Sequence, residues 1–395
     1  MIASQVVLDD LVTISGGGTP SKKKPEYFNG TIPWVSPKDM KSWEITTSID
    51  RITEEAVENS SVKLIDTDAV LLVIRSGVLK HSLPVGINRV PITVNQDMKA
   101  LRCGDRILPE YLARYLQANA RSILTKVRGT TADNIPTDSL RQLKIPLPPL
   151  SEQKRIAEIL DRADALRSQR RAALALLDEL TQSIFLDMFG DPVRNPMGWE
   201  NTKTLAEVAS VGSGITKGRR TKDPVRAIPY MAVVNVQDKS LNLSVVKTIN
   251  ATDKEIDRYR LKRNDLLLTE GGDADKLGRG TLWNDELPEC IHQNHIFRVR
   301  LETRDVTPLF LNWLVGGPRG KSYFLRQAKQ TTGIATINMT QLKAFPMLIP
   351  PLKLQNDFAK RIVRIEDMRS SQVRSLDELD QLFASLQQRA FRGEL

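Results

Sequence analysis

Two segments of the chain carry an apolar stripe with the period of a long helix. Counted in alternating steps of four and three residues, seven of ten stripe positions are apolar in residues 156–188, and eight of ten in residues 358–390. Polar residues interrupt both stripes at the same two central positions. This spacing is typical of an α-helix with one buried face. Because residues 151–189 contain neither proline nor glycine, the pattern predicts a first helix about 58 Å long.

A helix of that length with a single apolar stripe needs a partner of similar length to cover the stripe. The second segment has the same register, so we expect the two helices to pack as an antiparallel coiled coil. Two unrelated surface helices are the alternative, and the matching polar interruptions argue against it. The apolar residues assigned to this contact are Ile156, Leu160, Leu174, Leu177, Ile184, Phe358, Ile362, Ile365, Leu376, Leu379 and Phe383.

A sequence repeat surrounds both predicted helices. The proline-rich residues 145–153 recur 202 positions later as residues 347–355, and the similarity continues without a gap over about 50 residues. Two consecutive prolines require an extended segment before each helix begins. The chain is therefore predicted to be a tandem repeat in which both copies end in a long helix.

The two longer segments outside these helices also repeat, although less closely. Ile-Pro-Trp-Val at residues 32–35 parallels Ile-Pro-Tyr-Met at 228–231, and Val-Asn-Gln-Asp at 94–97 parallels Ile-His-Gln-Asn at 291–294. Short β-rich runs alternate there with helical stretches, so each segment is predicted to be a mixed α/β domain. The predicted order is globular domain, helix, globular domain, helix, with boundaries at 1–147, 148–189, 190–349 and 350–395.

Composition narrows the class of protein. Of the 395 residues, 41% are hydrophobic and 26% are charged, and two are cysteines. These values indicate a folded chain that has no disulfide framework. No apolar run reaches the roughly 18 residues that a membrane-spanning helix needs. We therefore expect a soluble, cytoplasmic protein that does not contact a membrane.

The net charge of +10 is concentrated in the two globular segments. Residues 1–150 carry a net +3 and residues 190–352 a net +7, whereas both helical segments are nearly neutral. A basic surface attracts nucleic acid, an anionic membrane or an acidic protein. Charge alone leaves these partners open.

The duplicated arrangement resembles the specificity subunit of type I restriction–modification systems. The resemblance rests on Pro-Pro-Leu and Glu-Gln at residues 148–153, Phe-Gly-Asp-Pro at 189–192, and the closing Phe-Arg-Gly-Glu-Leu at 391–395. Residues 16–40 are similar to one class of that family's target recognition domain. The resemblance implies a pseudo-two-fold tandem of two target recognition domains separated by the helical pair. Each domain would read one half of a bipartite double-stranded DNA target.

The same resemblance implies that the helices set the spacing between the half-targets and dock two methyltransferase subunits. Two restriction subunits, which translocate and cleave DNA, are the other partners that it implies. S-adenosylmethionine is then expected in the methyltransferase subunits, and ATP and Mg in the restriction subunits. Leu354 stands where the first copy has Glu152, so the two docking surfaces need not be identical.

Motifs for chemistry within the chain are missing. The sequence contains neither a phosphate-binding Gly-x-x-x-x-Gly-Lys loop nor the Asn-Pro-Pro-Tyr type of segment that amino-methyltransferases use. We therefore expect a non-catalytic subunit without a cofactor of its own. The alternatives are a stand-alone methyltransferase or nuclease, and a coiled-coil adaptor that binds DNA without sequence preference.

Two local patterns permit several interpretations. Cys290, His292 and His295 could suggest zinc, but a fourth ligand is not evident, so no metal is expected. The glycine run at residues 16–18 fits a loop that passes close to DNA, an ordinary turn or, least well, a nucleotide site.

The candidate DNA-binding residues lie in loops at matching places of the two globular segments. Lysine and arginine contact phosphates, and polar side chains read base edges. A structural role is expected for Gln96 and Gln293 because two domains that read different bases should not share a reader. The candidates are Lys22, Lys23, Lys24, Ser36, Lys38, Arg75, Lys126, Arg128 and Thr130 in the first segment, and Lys217, Arg219, Arg220, Lys222, Asn235, Lys329, Gln330 and Thr331 in the second.

Overall fold

The computed structural model describes residues 4–125, 134–218, 221–272, 277–331 and 334–395, with the backbone alone at 329–331 and 334. The chain divides into two compact units. Unit 1 comprises Met1–Ala173 and Gln372–Leu395, and unit 2 comprises Leu174–Ser371. Each unit therefore contains a globular α/β part and one segment of each long helix. Across these described ranges no helix is both long and apolar enough to span a bilayer.

The globular part of unit 1 consists of short strands and short helices. The strands are β1 (Gln5–Val7), β2 (Val12–Gly16), β3 (Ile32–Val35), β4 (Glu44–Ile45), β5 (Arg51–Ile52), β6 (Val70–Val73), β7 (Val85–Asn88), β8 (Thr93–Val94), β9 (Met98–Cys103) and β10 (Lys144–Pro146). The helices are α1 (Glu54–Glu58), α2 (Pro109–Ala118), α3 (Ala120–Leu124) and α4 (Thr137–Arg141), followed by the long helix α5 (Leu150–Phe189). Strands β2, β9, β6, β7 and β4 form the main sheet in that spatial order.

The globular part of unit 2 is built from the same kinds of element. Its strands are β11 (Ala209–Ser213), β12 (Arg226–Met231), β13 (Val236–Gln237), β14 (Ser240–Leu241), β15 (Lys247–Ala251), β16 (Leu266–Thr269), β17 (Gly271–Gly272), β18 (Gly280–Leu282), β19 (Ile291–His292), β20 (Ile296–Leu301), β21 (Lys329–Thr331) and β22 (Ile334–Thr336). Its helices are α6 (Leu205–Val208), α7 (Asp253–Tyr259), α8 (Pro308–Gly316), α9 (Pro318–Gln327) and α10 (Met339–Lys343), followed by the long helix α11 (Leu352–Ala390). The main sheet has the order β11-β20-β16-β18.

A second, smaller sheet shows that the two globular parts share one topology. It has the order β5-β3-β8 in unit 1 and β15-β12-β19 in unit 2, with one antiparallel and one parallel pairing in each. Val35 pairs with Val94, and Met231 pairs with His292. Val94 is therefore the counterpart of His292. The sequence alignment matched Gln96 with Gln293 because both residues are glutamine. The strand register shows that this alignment is wrong by one residue, since Asn95 is the counterpart of Gln293.

The long helices pack antiparallel within each unit, as the stripes predict. In unit 1, Arg167 of α5 donates to Asp380 of α11, and Arg170 donates to Gln372. In unit 2, Arg369 of α11 lies 3.2 Å from Asp178 of α5. Arg369 and Asp178 are the repeat counterparts of Arg167 and Asp380, so the same ion pair occurs once in each unit. The polar interruptions of the stripes are therefore the residues that pair the helices at their centres.

The predicted stripe residues differ in burial along the helices. Six of them are buried: Ile156, Leu160, Phe358, Ile362, Ile365 and Phe383. The half-buried ones are Leu174, Leu177, Ile184, Leu376 and Leu379. The buried ends belong to the apolar cores of the globular parts; Phe358, for example, packs on Trp313 of α8 with ring centroids 5.7 Å apart. The helices thus pack on the globular parts as well as on each other, which the stripes alone did not predict.

The repeated glutamine of the proline motif fastens each helix to the globular part. Gln153 is fully buried, and its Oε1 accepts from the Leu108 backbone N–H at 2.9 Å. Its Nε2 donates to the Arg106 and Pro148 carbonyls, both at 2.9 Å. Gln355 makes the same three kinds of bond in unit 2, at 2.8 Å each. A fully satisfied buried amide explains why both copies of the motif have glutamine at this position.

We predict that Gln153→Leu destabilises unit 1 by about 2–4 kcal/mol, because it leaves one N–H and two carbonyls buried without partners. Chemical unfolding of the full chain measures the loss, and hydrogen exchange assigns it to unit 1. Gln381→Leu is the matched control, since Gln381 is an exposed glutamine of α11. A loss below about 1 kcal/mol, the net value of one ordinary hydrogen bond, would contradict the role assigned to Gln153.

Candidate nucleic-acid interface

Unit 1 contains an open cleft of about 940 Å³ that gathers several of the predicted DNA-binding residues. Lys22 comes from the loop after β2, and Ser36 and Lys38 come from the turn after β3. The structure therefore brings three of the predicted residues together at one surface, which the sequence alone did not show. The other residues that line the cleft are Gly17, Gly18, Thr19, Pro25, Phe28, Trp34, Asp50, Ser61, Asn95 and Gln96.

The polar cleft residues that sequence reasoning missed are Thr19, Asp50, Ser61, Asn95 and Gln96. Thr19 follows the glycine run, and its hydroxyl bonds to the exposed Gln96 side chain. Gln96 was assigned a structural role, but it contributes a polar group to the cleft. Its position just beyond β8, whose parallel pairing with β3 brings it beside the turn, is the signal that could have found it.

The glycine run owes its composition to close backbone packing. A Cβ atom at Gly17 would lie 1.8 Å from the Asn95 carbonyl oxygen, so no other residue fits there. Gly18 donates its N–H to the Val94 carbonyl, and its own carbonyl accepts from Trp34 Nε1 at 3.0 Å. Close backbone packing therefore accounts for Gly17, and it needs none of the three interpretations given to this run. Contact with DNA at this loop stays a prediction.

The lysine run beside the cleft is not uniform. Lys22 lines the cleft and Lys23 is exposed. Lys24 Nζ donates to the Tyr27 hydroxyl at 2.8 Å and lies 4.7 Å from the centroid of that ring. This hydrogen bond raises the pKa of the Lys24 ammonium group. Lys22 and Lys23 are thus the members of the run best placed to meet an external anion.

The helical turn Pro37–Asp39 holds one wall of the cleft. Ser36 is buried, and its hydroxyl donates to Asp39 Oδ2 at 2.7 Å, so the proton is already used. Lys38 is exposed and forms a 2.7 Å ion pair with Asp50. In DNA binding, the Ser36 hydroxyl could therefore only accept a hydrogen bond. Lys38 can leave the Asp50 carboxylate and pair with a phosphate instead.

The matching turn in unit 2, Val233–Asn235, corrects one predicted site residue. Asn235 is buried; its Oδ1 accepts from the Ala232 N–H, and its Nδ2 donates to the Asn242 and Val245 carbonyls at 2.8 and 2.9 Å. Because every group of this amide is used inside the loop, Asn235 cannot read a base edge. Asn235 holds the loop together instead.

The remaining candidates have separate locations. Lys217 and Lys222 are exposed in unit 2, and Lys217 Nζ lies 5.3 Å from the centroid of the Tyr230 ring. Arg75 donates to Asp97 at 2.7 Å and does not line the unit 1 cleft. Lys126, Arg128, Thr130, Arg219 and Arg220 lie outside the described residues, and so do the side chains of Lys329, Gln330 and Thr331, whose backbone forms β21.

The cysteine and histidines that could suggest zinc are engaged separately. His292 is buried with Nδ1 3.0 Å from the Tyr259 carbonyl, and burial lowers its pKa to about 4. His295 Nδ1 lies 2.6 Å from the Glu270 carboxylate. Within the part of the chain that the structure describes, no group of three or more potential ligands converges on one point.

Comparison with known proteins links the first part of the chain to a family. Residues 4–176 match the family described as the type I restriction modification DNA specificity domain. The chain is 44% identical over 170 residues to the EcoR124I/EcoR124II specificity subunit of Escherichia coli, a match that covers 42% of each chain. It is 29% identical over 236 residues to the MjaIX specificity subunit of Methanocaldococcus jannaschii, covering 54% of this chain and 53% of that subunit.

These matches span about half the length of the two specificity subunits. The type I S subunit from M. genitalium covers nearly the whole fold: it aligns with 98% of this chain and 96% of its own at a TM-score of 0.58 and 13% identity. At that identity the likeness concerns the fold. The fold of two globular α/β parts with long helices is thus similar to that of the M. genitalium subunit.

Proposed function

We propose that this chain is the DNA-recognition and scaffold subunit of a type I restriction–modification complex. The observation that carries the proposal is the duplication: two α/β parts of one topology, each fastened to the start of the long helix that follows it by a buried glutamine. A protein that reads two separate half-targets needs two such parts. A stand-alone methyltransferase or nuclease would need catalytic motifs, which the sequence lacks.

The unit 1 cleft has the chemistry of a surface that reads DNA. Lys22 and Lys38 supply cations for phosphates, and Thr19 and Gln96 supply hydroxyl and amide groups for base edges. Gly17 and Trp34 fix the loop backbone beneath these side chains. A rigid set of polar readers loses little entropy on binding, which favours discrimination between bases.

The proposed partners are two methyltransferase subunits and two restriction subunits, in addition to double-stranded DNA. S-adenosylmethionine is assigned to the methyltransferase subunits, and ATP and Mg to the restriction subunits. The chain itself then contributes recognition and spacing, and adenine methylation takes place in its partners. This division of roles agrees with the absence of catalytic motifs from the sequence.

Exposed apolar residues on the long helices support two equivalent docking surfaces. Leu166 of α5 is 52% exposed and its repeat counterpart Met368 of α11 is 55% exposed. Leu180 and its counterpart Leu382 are 45% and 50% exposed. Leu166 and Leu382 belong to unit 1, whereas Leu180 and Met368 belong to unit 2. Each unit therefore presents one such pair, as two copies of one partner require.

We predict that Leu166→Glu with Leu382→Glu removes one methyltransferase subunit, and that Leu180→Glu with Met368→Glu removes the other. Placing a charge in an apolar contact weakens each docking site by about a hundredfold. Native mass spectrometry of the assembled complex counts the subunits. Leu325→Glu is the control, because Leu325 is an exposed leucine of α9. If the variant with all four substitutions still bound two methyltransferase subunits, the assignment of these residues to docking surfaces would be wrong.

We predict that Lys22→Ala with Lys23→Ala weakens DNA binding and makes it less dependent on salt. Removing one lysine–phosphate interaction lowers the slope of log affinity against log salt by about 0.9. Titration of the full complex with a duplex at several salt concentrations measures the slope. Lys63→Ala is the matched control, since Lys63 is exposed in unit 1 and does not line the cleft. Equal slopes for the double variant and the parent would show that neither lysine contacts phosphate.

A further inference from the structure

Two exposed branched side chains stand beside the turns that wall the candidate reading surfaces. Ile49 in unit 1 is 65% exposed and Val245 in unit 2 is 63% exposed. A single exposed apolar residue is ordinary on a protein surface. Ile49 and Val245 differ from such isolated residues because a side-chain hydrogen bond from the same helical turn fixes the backbone of each.

This hydrogen bond comes from the last side chain of the preceding helical turn. Asp39 ends the turn in unit 1, and its Oδ1 accepts from the Ile49 N–H at 2.8 Å. Asn235 ends the turn in unit 2, and its Nδ2 donates to the Val245 carbonyl at 2.9 Å. One carboxylate and one amide thus hold the peptide beside an exposed β-branched residue. The fold restrains the loop tip and leaves the apolar side chain in solvent.

Ile49 lies beside groups proposed to meet DNA, and Val245 lies beside the matching turn of unit 2. Ile49 precedes Asp50, which lines the unit 1 cleft and pairs with Lys38. In unit 2 the turn position equivalent to Lys38 is occupied by Val234, which is 66% exposed. The two units therefore present different chemistry from one scaffold: a lysine with an isoleucine in unit 1, and two valines in unit 2.

We propose that Ile49, and Val245 with Val234, are base-reading residues that contact the C5 methyl group of thymine in the major groove. This inference rests on the proposed function. The thymine methyl is the apolar group that base pairs present in the major groove, and aliphatic side chains recognise it. A β-branched side chain has few rotamers, so a fixed backbone delivers its methyl groups to one position. The half-target of unit 2 accordingly presents two thymine methyl groups, and that of unit 1 presents one.

Thymine-to-uracil substitution tests the contact, because it removes the methyl group and leaves base pairing intact. The probe is a duplex that carries the target found by mapping methylated sites, with each thymine in turn replaced by deoxyuridine. We expect one position in the unit 1 half-target and two in the unit 2 half-target at which the full complex binds about three- to fivefold more weakly, the value of one buried methyl group.

Variants of the chain assign each position to a side chain. In the Ile49→Ala variant, uracil at the sensitive position of the unit 1 half-target should no longer weaken binding. The two sensitive positions of the unit 2 half-target should still do so. Val245→Ala and Val234→Ala should each silence one position in the other half-target. Leu64→Ala and Leu325→Ala remove exposed apolar side chains elsewhere in units 1 and 2 and should silence none.

The possible failures are distinguishable. If the complex binds its target specifically but no uracil position depends on Ile49, Val245 or Val234, the thymine contact is overturned and DNA recognition by the chain stands. A half-target without a thymine on either strand has the same consequence. If the complex shows no sequence preference at all, the proposed function itself fails.

Discussion

Replacing Arg114 with methionine is expected to destabilise unit 1 by about 1.5–3 kcal/mol, the usual value of hydrogen bonds to charged groups. The Arg114 side chain is 2% exposed and pairs with Asp161 at 2.7 Å and Asp164 at 2.9 Å, both on α5. Its guanidinium also lies 3.8 Å from the centroid of the Trp43 ring. The substitution leaves Asp161 without this cation at the junction of the globular part and the helix, whereas Asp164 keeps Arg167 at 2.8 Å. Chemical unfolding of the full chain measures the loss.

Unit 2 supplies the matched control for Arg114. Trp313 is the sixth residue of α8, as Arg114 is of α2, and Lys239 lies 4.3 Å from the centroid of its ring. In unit 1 the helix supplies the cation of this cation–ring contact, whereas in unit 2 the corresponding helix supplies the ring. Because the Lys239 side chain is 29% exposed, Lys239→Met should cost about 1 kcal/mol or less. Similar losses for the two variants would show that burial of Arg114 does not govern its contribution.

Inserting one heptad after Gln169 and another after Ser371 is expected to lengthen the unread spacer of the target by about 3 base pairs. Each insertion adds about 10 Å of helix, and base pairs rise about 3.4 Å each. A heptad keeps both apolar stripes in phase. The ion pairs Arg167–Asp380 and Arg369–Asp178 keep their partners, since each lies on one side of the insertions. The reading loops are unchanged, so the half-targets stay the same.

Spacer preference, not affinity, is the informative quantity in that experiment. DNA turns by roughly a quarter of a helical repeat over 3 base pairs, so the complex must twist to follow and binding weakens in any case. Selection from duplexes with fixed half-targets and varied spacers gives the preference. A variant with a single heptad, inserted after Gln169 alone, is the control and should lose specific assembly. If the variant with both insertions folds but still prefers the parental spacer length, the length of the helices does not set the spacer.

The fold was accessible from the sequence where the signal is local and repeated. The stripes from Ile156 and Phe358 onward predict both long helices and their antiparallel packing, and the proline motif predicts where each helix begins. The role of Gln153 was not accessible, because its partners lie in the loop before α2, more than 40 residues earlier. The burial of Ile156 and Phe383 in a globular core has the same long-range origin.

The candidate site was accessible only in part. The sequence identified Lys22 and Lys38, because cationic loops are recognisable from composition. It misassigned Asn235, since burial of a polar loop residue depends on the carbonyls that surround it. It also misaligned Gln96, because strand register is set by pairing between distant segments. Which polar side chain faces solvent is decided by such contacts, and composition does not contain them.

The central claim is that this chain reads a target in two halves. Mapping methylated adenines in the DNA of cells that carry the chain with its methyltransferase partners tests it most directly. The account predicts one motif made of two short fixed half-targets, separated by an unread spacer of constant length. A single uninterrupted motif, or methylation without sequence preference in the presence of this chain, would contradict it.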